Sequence, residues 1–471
     1  MRARLGSTFQ SLQVRNYRLF ATGQLISLIF GWMQITAQDW LVLQLSHNSA
    51  SALGVVTAFQ FTPILLLTLY AGKLADRFDK RVMLLIANST WLVLAALMGV
   101  LVTSGAVQLW CVFVFALLWG TVSAFETPTR QSFASELVGR SLLPNALALS
   151  SATFNSARVI GPALGGVAIA VLGTGSAFVI NALSYLGPLL MITLMRPSEL
   201  HRNGLAKGRV SAADARVIDG LRYVRRRPDL ILPLALMLVI GMAGFNFQLT
   251  LAVLAKSVFH SGAASFGLLT TAIAVGALIG ALTGSSRRGR PTVWVVLGGA
   301  IAFGVVETAA GLMPTYLITA AVLVPTGFAM IYLSQAANQR VQMGVDPEMR
   351  GRVMALYVLV FMGTNPVGAP LVGWVTQTFG ARVSISVGGV VSLVVGGAAL
   401  AVRLRMSGGR IRMRLAPVPR LYLDVPPTWQ GEEHGDPATA GVSGRRFHPV
   451  TAARHPRPER TGSELSTVDH R

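Results

Sequence analysis

Cysteine, charge and metal-binding motifs are all scarce in this sequence. Its one cysteine, Cys111, cannot form a disulfide within the chain, and its seven histidines are scattered without an HExxH pair or a Cys/His cluster. A phosphate-binding loop is missing too, because Gly72-Lys73 lacks the earlier glycine and the following Ser or Thr. No nucleophile and base stand at a recognisable spacing. The sequence therefore predicts no metal, no cofactor and no enzyme.

Charged residues make up only 13% of the 471 residues, whereas hydrophobic residues make up 52%. A soluble globular protein carries about 25% charged residues, so we expect the lipid bilayer to be the main solvent of this chain. Apolar runs of about 18 residues or more can cross a membrane as helices. We predict an all-α polytopic membrane protein with about twelve such spans. They lie at 17–45, 52–70, 82–103, 107–125, 146–172, 177–194, 232–254, 266–283, 293–312, 317–333, 353–375 and 383–402.

The net charge of +21 raises the possibility of a nucleic-acid partner, and the placement of the basic residues argues against it. With both termini inside, all of the 40 Lys and Arg residues except Arg158, Lys256 and Arg382 fall in segments on the inner side. This bias is the positive-inside rule of membrane topology. We therefore expect a multi-pass protein of the bacterial plasma (inner) membrane, embedded in the lipid bilayer, with both termini in the cytoplasm and no nucleic-acid partner.

A long polar stretch between the sixth and seventh spans divides the chain into two related halves. The expected units are a six-helix bundle at 1–196, a cytoplasmic basic loop at 197–230, a second six-helix bundle at 231–403 and a disordered cytoplasmic tail at 404–471. The segment 158–166 is echoed 207 residues later by 365–373. Weak self-similarity between six-span halves is typical of alternating-access transporters.

Inside the basic loop, Val217, Leu221 and Val224 share one face of a predicted helix whose other positions are largely basic. Such an amphipathic helix binds the surface of an anionic membrane leaflet. A solvated linker would have the same composition. The tail is rich in Pro, Gly, Arg and His and has no apolar run of span length, which is typical of disorder.

The loop between the second and third spans resembles the signature of the major facilitator superfamily. The residues that match it are Gly72, Leu74, Ala75, Asp76, Arg77, Lys80 and Arg81, and Asp79 stands where the family has a second glycine. The resemblance implies a gating latch, formed by Gly72, Asp76, Arg77, Lys80 and Arg81, that locks helix ends of the two halves together on the cytoplasmic side. A basic loop that merely obeys the positive-inside rule is the alternative.

Further segments resemble one branch of this superfamily, the transmembrane secretion effectors, which include enterobactin-type exporters and macrolide-efflux relatives. The likeness lies in 127–131, 136–138, 144–149 and 155–166, within a region of resemblance from about 15 to 402. Gly161, Pro162, Gly165 and Gly166 also resemble the antiporter signature of drug exporters, although ordinary helix packing explains the glycines almost as well. The arginine and Gln-Gly pair that well-known drug–proton antiporters carry on the fourth helix are absent here.

Ionisable residues inside a bilayer persist only when they are paired or functional, since each costs about 2.5 to 3.5 kcal/mol at the centre on insertion scales. Arg158 lies near the middle of the fifth span and is a candidate for substrate binding or for a structural ion pair. Asp39 lies in the outer half of the first span, with Gln38 next to it in sequence and Gln34 five residues before it, little more than one turn away. We expect these three residues to bind a proton or a cationic substrate. Alternatively, Asp39 lies near the outer headgroups or neutralises Arg158.

Two other acidic residues, Glu126 and Glu307, lie close to the ends of predicted spans, so we expect their side chains to be exposed. Five amides are candidates for a polar cavity, and hydrogen bonds between helices explain them equally well. They are Asn155, Asn181, Asn246, Gln248 and Asn365.

The sequence thus favours a monomeric secondary transporter of the major facilitator fold. The resemblance implies export of small amphipathic molecules, such as drugs or natural products, by proton antiport and alternating access. An uptake permease of the same fold stays open, because topology does not fix the direction of transport. A membrane receptor or scaffold that transports nothing is the third alternative.

Overall fold

The computed structural model describes residues 9–201, 217–287, 289–407, 410–414 and 420–424. Within them it has twelve helices that are long and apolar enough to cross a membrane, which we number spans 1 to 12. Their bounds are Arg15–Leu45, Ala50–Arg77, Lys80–Thr103, Leu109–Gly139, Ser141–Leu172, Thr174–Thr193, Pro228–Val258, Ala263–Ser285, Val293–Leu312, Tyr316–Gly344, Arg350–Phe379 and Ala381–Ser407. The predicted all-α fold is confirmed. Because the number of spans is even, both ends of this region lie on one side, which we call the termini side.

Polar caps and one glycine shape the turns in the first half. The hydroxyl of Ser49 accepts a hydrogen bond from the Ala52 N–H at 3.2 Å, and the carboxylate of Asp79 accepts one from the Arg81 N–H at 2.9 Å. Each cap satisfies a backbone donor that has no partner within its helix. Spans 4 and 5 join at Gly139, whose φ of 71° is a conformation that glycine adopts without a steric cost. The chain therefore changes direction there without a loop.

Span 7 is broken within the membrane region. Its first helix is Pro228–Gly244, a second helix follows at Phe247–Val253, and a π-helical turn occupies Leu254–Val258. Phe245 and Asn246 connect the first two pieces with a non-helical backbone. Such a break frees backbone polar groups, which a membrane protein tolerates only where protein or a cavity surrounds them. Protein or a cavity must therefore surround this break.

Spans 2 and 11, which come from different halves, touch near one of their ends. A Cβ added to Gly54 would lie 2.6 Å from the carbonyl oxygen of Ala369, so the two backbones are in direct contact. At the termini side of the same helices, a Cβ added to Gly72 or Gly351 would meet nothing within 4 Å. The two helices are therefore in direct contact on the side opposite the termini, whereas Gly72 and Gly351 face open space on the termini side.

Spans 5 and 8 make the equivalent contact on the other flank. Gly267 abuts the carbonyl of Pro162, and a Cβ added to Gly166 would lie 2.8 Å from the carbonyl oxygen of Ala263. Glycine lets helices approach this closely because no side chain separates the backbones. The two halves are thus packed together near the opposite side on both flanks.

The linker between the halves contains one described helix, Val217–Arg225. Its Gly220 packs against the backbone of Arg352, at the start of span 11. Val224 is buried, whereas Leu221 is 45% exposed, and the side chain of Val217 lies outside the described residues. The helix exists as predicted, but its apolar residues do not form one uniformly buried face.

The segment after span 12 differs from the predicted disordered tail. Span 12 continues to Ser407, and strand β1 (Arg410–Arg414) pairs antiparallel with strand β2 (Arg420–Asp424). Both strands alternate apolar and polar residues, which is the two-residue period of a β-strand. Residues 425–471 lie outside the described part, and the division into four units stays a prediction.

Candidate functional site

A cavity of about 390 Å³ lies between the two halves, lined mainly by spans 1, 2, 4 and 7. Its volume falls in the range of about 300 to 1,000 Å³ that small-molecule sites occupy. Aromatic side chains form much of the wall. They include Trp32, Phe61, Trp91, Trp119, Phe154 and Phe245. Rings of this kind offer apolar area to an amphipathic molecule and a negative face to a cation.

Asp39 lies in the wall of this cavity rather than near the membrane surface. Its side chain is buried, and its Oδ2 has no hydrogen-bond partner. Gln248, from the second helix of broken span 7, lines the same cavity and has an Nε2 without a partner. Buried polar atoms are nearly always hydrogen-bonded in folded proteins. One acceptor and one donor, contributed by different halves, therefore stand beside each other in the cavity wall without completing a well-formed hydrogen bond.

The two glutamines predicted to accompany Asp39 do not line the cavity as the structure describes it. Gln34 accepts a hydrogen bond of 2.5 Å from the Nδ2 of Asn181, which joins span 1 to span 6. Gln38 is buried, with its Nε2 unpartnered. The cavity-lining residues of span 1 are spaced three or four apart, as on one helix face, and Asp39 belongs to that face whereas Gln34 and Gln38 do not.

Arg158 occupies a neighbouring space of about 90 Å³. Its guanidinium carbon lies 5.9 Å from the centroid of the Trp32 ring, a distance typical of a cation–π contact. Trp32 and Gln248 line both this space and the larger cavity, so the two are adjacent. Among the described residues, no ion pair joins Arg158 to Asp39. Asp39 and Arg158 are thus an acid and a base of the cavity region that do not neutralise each other.

The expectation that Glu126 is exposed is wrong. Its side chain is only 5% exposed and accepts a hydrogen bond of 2.8 Å from the Nε of Arg130, and both residues line the large cavity. The apolar run ends at residue 125, but the helix continues to Gly139, so Glu126 lies in mid-helix rather than at an end. The four-residue spacing of Glu126 and Arg130 was the available signal, since residues four apart meet on one helix face.

The expectation for Glu307 is also wrong. Its side chain is 2% exposed and packs against Gly244 of span 7 and Gly388 of span 12. Glu307 stands five residues before the end of span 9 at Leu312, and it points towards neighbouring helices rather than towards the end. A position near the end of a span therefore did not predict exposure, because exposure depends on whether that face of the helix points towards other helices.

With the fold and cavity in view, comparison with known proteins decides the family. The family model for transmembrane secretion effectors, a branch of the major facilitator superfamily, matches residues 6–424. This chain belongs to the transmembrane secretion effector family. The resemblance seen in the sequence motifs is confirmed.

The relatives of this secretion effector are transporters of the same superfamily, not enzymes. The staphyloferrin A transporter of Staphylococcus aureus is 29% identical over 266 residues, which make up 56% of this chain and 66% of that protein. This match therefore spans just under two thirds of the transporter's length. The multidrug efflux pump Tap of Mycolicibacterium fortuitum is 27% identical over 72% of this chain and 84% of the pump. The enterobactin exporter EntS of Citrobacter koseri is 27% identical over 75% of this chain and 84% of the exporter.

A solved structure supports the fold of the secretion effector. A bacterial homologue of the human lysosomal transporter Spinster, in an inward-facing and unoccupied conformation, matches with a TM-score of 0.66. The match covers 83% of this chain and 97% of that chain, at 16% sequence identity. At this identity the likeness concerns the fold alone.

The predicted latch loop of this secretion effector binds within its own half. The Nζ of Lys80 lies 2.5 Å from the Oε1 of Glu136, at the end of span 4. Arg81 donates to the carbonyl oxygens of Ile192 and Thr193, at the end of span 6. Arg77 is exposed, and the side chain of Asp76 lies outside the described residues. Lys80 and Arg81 therefore brace three helix ends of the first half, and a latch between halves stays a prediction.

The antiporter-like glycines pack span 5 against two different helices. Gly161 abuts Trp32 and Gly165 lies against the backbone of Met33, both on span 1. Pro162 and Gly166 instead contact span 8, in the other half. The four residues thus have packing roles on both sides of span 5, and only two of them touch the interface between halves.

The sequence did not reveal a charge cluster on the termini side of the second half. The carboxylate of Asp229 accepts hydrogen bonds from the Nε of Arg227 at 3.0 Å and from the Nη2 of Arg290 at 2.9 Å. Arg227 also donates to the carbonyl oxygen of Gly344 at 3.1 Å. The hydrogen bond with Asp229 raises the pKa of Arg227. This cluster ties the linker to the ends of spans 7 and 10 and to the loop before span 9.

Proposed function

We propose that this protein exports amphipathic small molecules across the bacterial plasma membrane as a monomeric, proton-coupled antiporter. The observation that carries the proposal is the cavity between the halves, in which an unpartnered carboxylate oxygen of Asp39 faces aromatic walls. An aromatic cavity suits an amphipathic cargo. A buried carboxylate without a cation is unfavourable, so it needs either a proton or a positively charged ligand. Competition between the two at Asp39 provides a basis for antiport.

The proposed mechanism is alternating access by rocking of the two halves. Close packing of spans 2 with 11 and of 5 with 8 seals the side opposite the termini, while Gly72 and Gly351 face open space on the termini side. The positive-inside bias favours the cytoplasm for the termini side. In this orientation the cavity faces the cytoplasm, where an exporter collects its cargo.

Arg158 gives the cavity region a group that can bind an anionic part of the cargo. Its guanidinium lies against Trp32 beside the main cavity and has no carboxylate partner among the described residues. An arginine in a low-dielectric space binds an anionic group strongly. Together Asp39 and Arg158 suit cargo that carries cationic or anionic groups on an apolar body. The relatives, named as a staphyloferrin A transporter, an enterobactin exporter and a multidrug efflux pump, support a cargo in this class.

The test is a dye-accumulation assay in a bacterial host that lacks its own major efflux pumps. Cells expressing the protein are compared with cells expressing Asp39→Asn, for a panel of cationic and anionic fluorescent dyes. An exporter lowers the steady-state content of at least one dye, and Asp39→Asn restores it towards that of empty cells. A raised dye content would instead support an uptake permease, and an unchanged content for every dye would support a receptor. Asp219→Asn, on the linker helix, is the matched control and should behave like the wild type.

A further inference from the structure

The second half contains a buried carboxyl group that the cavity does not use. Glu307 on span 9 is enclosed by two glycines, because a Cβ added to Gly244 of span 7 would lie 2.8 Å from its Oε2. A Cβ added to Gly388 of span 12 would lie 2.8 Å from its Oε1. Three helices therefore close around this carboxyl, and any residue larger than glycine at either position would collide with it.

Among the described residues, this carboxyl group has no neutralising partner. Its Oε2 lacks a hydrogen bond, and the salt bridges of the described residues do not include it. On span 12, Arg382 stands six residues before Gly388, about 9 Å along the axis, and donates to the carbonyl oxygen of Pro314. On span 7, Lys256 stands twelve residues after Gly244 with its ammonium over the Trp40 ring.

The remaining charged groups on the packed helices lie further away along their axes. Asp229 stands fifteen residues before Gly244, about 22 Å along an ideal helix. Arg403 and Arg405 stand at the far end of span 12 from Gly388. On span 10, the hydroxyl of Thr326 donates to the carbonyl oxygen of Val306, the residue before Glu307, so Thr326 lies at the same depth as Glu307. Arg340 stands fourteen residues after Thr326 on span 10. The described charges thus leave Glu307 in an apolar pocket of its own.

The pocket adjoins the break in span 7. Gly244 is the last residue of the first helix of that span, and Asn246, within the break, and Gln248, just after it, line the large cavity. Phe245 packs edge-on against Phe303, with ring centroids 5.4 Å apart, and Phe303 lies one helical turn from Glu307. The carboxyl group is therefore on one side of a non-helical segment and the cavity is on the other.

We propose that Glu307 is a proton-binding site of the second half, neutral in the conformation described here and deprotonated when span 7 rearranges at its break. An unpaired carboxylate is strongly disfavoured in such a pocket, whereas the neutral acid is tolerated. Movement of Gly244 away from Glu307 would admit water. The acid O–H bond then breaks, its electron pair stays on the carboxylate and the proton passes to that water.

A proton fits this pocket better than a metal cation does. A bound metal ion needs several oxygen ligands around it, whereas the described part of the chain has no group of three or more His, Cys, Asp or Glu residues that could hold one. The role of this proton in transport rests on the proposed antiport, but its binding does not, and the experiment therefore uses no cargo.

The experiment compares thermal unfolding of the purified protein in detergent, from about pH 5 to about pH 9, with that of Glu307→Gln. Raising the pH favours any state that exposes an ionised Glu307, so the wild-type Tm should fall by several degrees more than the Tm of Glu307→Gln over this range. Glu126→Gln is the matched control, and it should keep the wild-type slope because Glu126 is paired with Arg130. Parallel curves for wild type and Glu307→Gln would overturn the proposal.

Two further measurements keep the proposal testable if Glu307→Gln unfolds early. In an Asp39→Asn background, which removes the other unpaired buried carboxyl group of the described residues, infrared spectra at neutral pH should show the carbonyl band of a protonated carboxyl group, and Glu307→Gln should abolish that band whereas Glu126→Gln should not. A spectrum unchanged by Glu307→Gln contradicts a neutral acid. A wild-type Tm that rises in sodium chloride relative to choline chloride, with no rise in Glu307→Gln, would assign the site to sodium and likewise overturn the proposal.

Discussion

The backbone N–H of Ala50 donates a hydrogen bond of 2.7 Å to the side-chain oxygen of Gln377. Ala50 begins span 2 and Gln377 lies near the end of span 11, so this bond joins the two halves on the side opposite the termini. Most of the neighbouring contact is between glycine and backbone, which has little directionality. Opening the cavity to that side requires this bond to break, which makes Gln377 a direct probe of the closed state.

Gln377→Ala should shift the equilibrium towards opening on the opposite side. Loss of one hydrogen bond costs about 1 kcal/mol, which is roughly a fivefold change in population. In a Cys111→Ser background, Asn365→Cys reports cavity access through its reaction rate with a membrane-impermeant thiol reagent added from that side. We expect about fivefold faster labelling. Gln108→Ala should leave the rate unchanged, because Gln108 bonds Trp110 within the first half; equal rates for both variants would contradict this role of Gln377.

Gly267→Ala should damage the contact between spans 5 and 8. The new methyl group would overlap the carbonyl of Pro162, and overpacking of this kind costs about 1 to 3 kcal/mol. We expect a lower Tm and a loss of transport of about tenfold. Gly298→Ala is the control, since a Cβ there meets nothing within 4 Å. If both alanine variants transport like the wild type, close packing between the halves is not required.

Asp229→Asn should weaken the charge cluster on the termini side. The substitution leaves Arg227 and Arg290 with a neutral partner. Because Asp229 is 31% exposed, solvent screens the pair and the expected loss is about 1 kcal/mol, seen as a lower Tm that converges with the wild-type value at high salt. Glu199→Gln removes the exposed pair with Arg196 and should change nothing measurable. A salt-independent loss would point to packing rather than charge.

Arg158→Gln should weaken the transport of anionic cargo and leave the transport of cationic cargo unchanged. The variant keeps a polar side chain beside Trp32 but removes the charge that an anionic group would meet. Efflux of an anionic dye such as fluorescein should show a KM raised by about tenfold, while a cationic dye keeps its wild-type KM. Arg158→Lys should retain part of the anion affinity. An equal loss for both dyes would assign Arg158 a structural role instead.

The sequence predicted the number and order of the spans because lipid leaves a helix few alternatives. A backbone in hydrocarbon must satisfy its own hydrogen bonds, so each long apolar run becomes a helix. Composition does not mark where such a helix ends outside the lipid. Span 4 continues from Phe125 to Gly139 through polar sequence, and this extension places Glu126 and Arg130 in the cavity wall.

The site itself could be predicted only in part, because hydropathy does not show which way each side chain points. Asp39 was identified by its rarity in an apolar span, and the structure places it in the cavity. Gln34, little more than one turn away, binds Asn181 in another helix of the same half. Glu307 faces two glycines that are 63 residues before it and 81 residues after it in the chain. Packing between such distant segments is set by the whole fold rather than by local pattern.

Proton exchange at Asp39 can be measured in inside-out membrane vesicles with an acidified lumen. A dye that the cell assay identifies as cargo is added outside while a pH-sensitive probe follows the lumen. Proton exchange at Asp39 predicts that dye enters the lumen as protons leave it, and that Asp39→Asn abolishes both coupled movements while Asp219→Asn does not. Proton outflow that continues at the wild-type rate on dye addition to Asp39→Asn vesicles would contradict it.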